Sequence, residues 1–153
     1  MSATGLKVFD STLQSTNIWL DDIMHELGWD DRHKAYTALR VVLHSLRDRL
    51  SVDNAAHLGA QLPMLVRGFY YDGWHPAHKP VKERALDMFL MHITDAYLRD
   101  IEADSRQIAR AVLGTISKHV TEGEVEKVQR ALPAELRDFW IAESKLAALR
   151  AHS

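Results

Sequence analysis

One period dominates the apolar positions of the chain. Leu39, Val42, Leu43, Leu46 and Leu50 fall at the three- and four-residue steps that place side chains on one face of a helix. Ile101, Ile108, Val112, Ile116 and Val120 form a second stripe of the same kind. No segment sustains the two-residue alternation of a half-buried strand. The pattern predicts an all-α fold.

The pattern also repeats. Arg40, Val42, Leu43, Leu62, Pro63, Arg67 and Phe69 meet Arg110, Val112, Leu113, Leu132, Pro133, Arg137 and Phe139 at a constant displacement, from 40 to 110 and from 69 to 139. Leu20, Ile23 and Asp30 meet Leu90, Ile93 and Asp100 at the same offset, and Trp19, Leu46 and Tyr70 meet the similar Phe89, Ile116 and Trp140. An ungapped offset through so many core-type positions implies two tandem copies of one unit. The expected architecture is two pseudo-symmetric four-helix units, about eight helices in all, packed together. The first unit is placed at 1–75, a connector at 76–80 and the second unit at 81–153.

Local signals divide each unit. In the first, a helix over 12–27 has Asp10 or Ser11 as N-cap and Gly28 just past its end, where a left-handed residue is wanted. A second helix over 31–50 follows Asp30, a third starts at Ser51, and Pro63 opens a fourth that stops near Gly73. In the second unit the expected helices span 81–98 and 101–119. A third starts at Thr121, whose spacing from Glu124 is that of a capping box. Pro133 opens the last, expected to run through Lys145 and Leu149.

The motifs at Gln61-Leu62-Pro63 and in the run from Arg67 to Pro76, the Leu-Pro-x-x-x-Arg pair beginning at Leu62 and Leu132, and Lys79-Pro80-Val81-Lys82 carry a family likeness. Over nearly its whole length the chain resembles the bacterial family catalogued as domain of unknown function 2267. The resemblance implies a small helical cytosolic protein. It implies no enzyme activity and supplies no catalytic residues.

Composition narrows the function classes. A net charge of −2, with acids and bases interspersed, offers no basic face for nucleic acid. The chain has no cysteine, which removes thiolate catalysis and Cys-based zinc sites and fits a reducing compartment. The first ten residues hold no apolar run of signal-peptide length, and no stretch is long and apolar enough for a membrane span. A cytoplasmic protein with no membrane or nucleic-acid partner is expected. Glycines are scattered singly, so neither common phosphate-binding loop is present, and no serine lies in a Gly-x-Ser-x-Gly elbow. The balance leans away from an enzyme, and no cofactor is expected.

The candidate sites centre on the segment where the copies differ. Tyr70, Tyr71, Asp72, Trp74, His75, His78 and Lys79 belong to an aromatic and polar loop segment at the join between the copies, whereas Trp140 continues into Ile141 and Ala142. Such a loop is either a recognition surface, with Trp74, Tyr70, Tyr71, Trp140 and Arg67 as anchors, or a connector whose aromatics tuck into the seam between the units. Asp72, His75 and His78 are weak metal candidates, since a carboxylate and two imidazoles meet the ligand count of an open zinc site. Arg67 and Arg137 follow the two Leu-Pro turns. They grip either an anion or the end of the preceding helix. Asp22, His25, His44 and His57 fall off the apolar stripes and read as solvated. The expected function is a non-catalytic protein-interaction or scaffold module using the aromatic loop, with a protein partner or a second copy. The alternative is a small-molecule, anion or metal-binding protein centred on Asp72, His75 and His78.

Overall fold

The computed structural model describes residues 2–151. Among these, eight α-helices and one short 3-10 turn make up the regular structure, and there is no strand. The helices are α1 (Lys7–Leu27), α2 (Arg32–Asp48), α3 (Val52–Ala60), α4 (Met64–Tyr71), α5 (Leu86–Asp95), α6 (Ser105–His119), α7 (Glu122–Ala131) and α8 (Ala134–Ala151). The 3-10 turn, Pro76–His78, lies between α4 and α5.

Several ends follow the expected chemistry. Gly28 closes α1 at φ 67°, a conformation that costs a residue with a Cβ. Asp31 and Ser51 cap α2 and α3 by accepting from the Lys34 and Asn54 backbone N–H groups. Pro63 stands at the N-cap of α4, where its missing N–H leaves nothing unsatisfied.

The packing is reciprocal. Helix α1 lies against α2 and α6, while α5 lies against α6 and α2, and α2 and α6 also touch each other. On the flanks α4 packs on α2 and α1, α8 packs on α6 and α5, and α3 meets α7. A single apolar cluster runs through all of these, from Trp19 and Ile23 through Leu39, Leu43 and Leu46 to Ile93, Leu113, Ile116 and Trp140.

Three helix starts and one cap differ from the sequence expectation. Helix α1 starts at Lys7, and Asp10 lies inside its first turn as an acceptor for the Ser2 and Thr4 hydroxyls instead of acting as N-cap. Helix α5 starts at Leu86 and not at 81, because the preceding segment is held along the end of α2. Val81 N–H donates to the Asp48 carbonyl at 2.9 Å, and Glu83 accepts from the buried Arg49 guanidinium. Helix α6 starts behind Asp104, which accepts from the N–H groups of Arg106 and Gln107. Ile101 therefore precedes it in a turn and is 98% exposed, outside the core stripe to which its spacing assigned it. The Thr121–Glu124 capping box does not form, as the Thr121 side chain caps nothing and a Glu124 carboxylate oxygen is buried without a partner.

No helix among the described residues is long and apolar enough to cross a membrane.

Candidate functional site

The aromatic loop is strapped down. Tyr70 is fully buried, and its hydroxyl donates to the Ala55 carbonyl at 2.6 Å. Burial raises the Tyr70 hydroxyl above the ordinary tyrosine range. Tyr71 packs edge-on against it with ring centres 4.9 Å apart, close over Gly59, where any Cβ would collide with the Tyr71 ring. Trp74 is half-buried, lies 5.3 Å from Tyr71 and packs against the core. Arg47, itself buried, donates to the Tyr70 and Asp72 carbonyls at 2.7 and 3.1 Å and so closes the end of α4. Lys79 lies 3.7 Å from the Asp48 carboxylate.

This geometry removes several residues from the set of surface anchors. Tyr70 is a core side chain. So is Trp140, which is buried and donates its indole N–H to Ser117 Oγ at 2.9 Å. Asp72 does not join His75 and His78. Its carboxylate accepts from Arg40 at 2.8 Å, and that hydrogen bond holds the carboxyl below the usual range. His75 and His78 are exposed, and no three His, Asp or Glu side chains converge on a common point among the described residues.

The two arginines part company. Arg67 reaches back to the end of α3 and donates to the carbonyls of Gly59, Ala60 and Leu62 at 2.9, 3.3 and 3.0 Å. Its fork is occupied by backbone. Arg137 lies 3.6 Å from its neighbour Asp138.

Two side chains expected in solvent join helices instead. Asp22 accepts from Lys118 and His119 on α6, and His119 stacks on Trp19 at 5.2 Å. Burial alone would raise the Asp22 carboxyl, but these two hydrogen bonds outweigh it and the net shift is downward. His44 lies 2.6 Å from the Phe69 carbonyl, and burial lowers its pKa despite that contact.

An open cleft of about 810 Å³ lies between α1, α2 and α4. Its volume lies in the range of small-molecule pockets. Phe9, Leu13, Met64 and Leu65, each more than a third exposed, supply apolar walls, and Tyr36 and Phe69 meet edge-on at 5.2 Å along another side. Thr16 and Leu20, the buried lining residues, form the floor. The walls are fixed in place. Thr12 Oγ1 accepts from the Leu65 N–H at 2.9 Å and ties α4 to α1. Arg32 donates to Asn17 and Asp21 at 3.3 and 2.7 Å and ties α2 to α1.

Leu20 and Phe69 entered as repeat positions and Gly68 within a motif, but no cleft residue was named as a candidate binding residue. The signal was present all the same, because stepping back from Leu20 through Thr16, Leu13 and Phe9 to Leu6 continues the inward face of α1 beyond its expected start. A second cavity of about 410 Å³ between α1, α6 and α8 carries several charged side chains, and these pair among themselves, Arg110 with Glu143 at 2.8 Å and Lys118 with Asp22 at 3.1 Å.

A family model described as "Uncharacterized conserved protein (DUF2267)" matches residues 16–139. No curated protein matches the chain.

Proposed function

The chain belongs to that family, whose description carries no activity, and from this premise we propose that it is an interaction module that works by binding rather than by chemistry, with the cleft between α1, α2 and α4 as its recognition site. The observation that carries this reading is a preformed, apolar-walled cleft of about 810 Å³, whereas Tyr70, Asp72 and Arg67 of the candidate loop are engaged within the fold. An exposed apolar concavity of this kind is uncommon on a surface with nothing to bind. The reading moves recognition away from the inter-repeat loop, because Tyr70 is in the core and Asp72 is paired with Arg40. It also places part of the site before the family-matched segment, since Phe9, Thr12 and Leu13 precede Thr16. A cysteine-free chain fits a reducing compartment, so the module is read as cytoplasmic.

The neutral fluorophore N-phenyl-1-naphthylamine tests the site without relying on charge. Wild type is expected to bind it saturably, and Leu13→Glu and Met64→Glu should each weaken binding about tenfold or more by placing a carboxylate on an apolar wall. Met91→Glu, at an exposed position on α5 outside the cleft, should leave it unchanged. Undiminished binding in both cleft variants would sink the assignment.

A further inference from the structure

The cleft is not uniform along its length. At one end α1 contributes Thr16 and Asn17, and α2 contributes Arg32 and His33. Asn17 and Arg32 are bonded to each other, which places this polar group together. At the other end, where Thr12 meets Leu65, the walls are Phe9, Leu13, Met64 and Leu65. Arg32, which is paired with Asp21 at 2.7 Å, and His33 are the basic side chains that line the cleft, and no acid lines it among the described residues. On the floor Thr16 is 7% exposed, and its hydroxyl is buried with no hydrogen-bond partner among the described residues. A buried hydroxyl without a partner is destabilising, so an occupant that brings a polar atom to it recovers that loss.

Each feature points to a different part of one ligand. The apolar end takes a hydrocarbon body, the lining charge takes an anionic head, and the orphan hydroxyl donates a hydrogen bond to that head. Building on the binding role proposed for this cleft, we infer that its occupant is a single-headed anionic amphiphile, an alkyl carboxylate in the simplest case, with its chain between Phe9, Leu13 and Met64 and its carboxylate at Thr16, Asn17 and Arg32. An apolar segment of a protein partner matches the far walls but leaves Thr16 and the cationic end unanswered.

Three probes of equal chain length separate the parts of this assignment: laurate, dodecanol and dodecylamine, each titrated calorimetrically into the full chain below its aggregation threshold. Laurate is expected to bind at one site about tenfold or more tighter than dodecanol, and dodecylamine weakest. Arg32→Gln should bring laurate to about the affinity of dodecanol. Because this change also frees Asp21, Asp21→Asn is the companion variant. It releases Arg32 from its ion pair and should tighten laurate but not dodecanol. Laurate no tighter than dodecanol, dodecylamine as tight as laurate, or laurate unchanged or weaker in Asp21→Asn overturns the anionic head group and leaves the cleft itself standing. Saturable binding by none of the three overturns both the ligand class and the binding role. Co-sedimentation with phosphatidylglycerol vesicles that laurate does not compete away overturns the free amphiphile in favour of a membrane surface.

Discussion

At the scale of single residues, side chains off the apolar stripes are where simple helical phase misleads. His44 points away from the line of Leu39, Leu43 and Leu46, yet α4 covers it and its imidazole meets the Phe69 carbonyl. Burial favours the neutral ring, Arg47 and Arg40 act in the same direction, and together they outweigh the Phe69 carbonyl and Asp48. The folded-state pKa is therefore below the unfolded value of about 6.5. The sign follows from linkage. The stabilising difference is fully present above the unfolded pKa and is lost as pH falls through the lowered folded value, because the unfolded chain takes up the proton first. Wild type should lose stability between pH 7.5 and pH 5 in urea denaturation, and His44→Gln, which keeps a donor toward Phe69 but cannot charge, should lose less. Equal losses in the two proteins would remove His44 as the cause.

At the scale of elements, the two arginines of the Leu-Pro motifs have different surroundings. The motif is the same in both copies, but Arg67 closes the end of α3 through three carbonyls whereas Arg137 is placed beside Asp138. Removing donors from helix-terminal carbonyls costs more than trimming a side chain beside an exposed carboxylate. Arg67→Ala is expected to destabilise by about 1–3 kcal/mol, and Arg137→Ala by about 0.5 kcal/mol or less, both read from chemical denaturation. Comparable losses would show that the copies use the motif alike. Helix starts diverge for the same kind of reason. An N-cap such as Ser51 is a local device and was legible, whereas the late start of α5 depends on Arg49 and the Asp48 carbonyl, more than thirty residues back in the chain.

At the scale of the whole molecule, α1 of the first half packs on α6 of the second, and α5 of the second packs on α2 of the first. Residues 1–75 and 81–153 thus share one apolar cluster rather than having one each. A separated half would expose the faces of α2 or α6 that the other half covers. The full chain is expected to unfold in one cooperative transition by calorimetry, and residues 1–80 expressed alone should show none. A sharp transition in the isolated half would make the two halves independent folding units.

Period and caps determined from sequence alone that this chain is helical, that it carries about eight helices, and where most of them begin, because these are properties of neighbours along the chain. The internal offset anticipated the shared core positions for the same reason, as in Leu43 with Leu113 and Leu62 with Leu132, all buried. The fate of the candidate site was decided by contacts between distant segments. Arg40 on α2 takes Asp72, Ala55 on α3 takes the Tyr70 hydroxyl, and α4 comes to rest against an α1 longer than its caps announced. The cleft exists only between helices, so no run of residues spells it. A side chain's availability for binding depends on what the fold brings against it, and that is fixed only when α1, α2 and α4 meet.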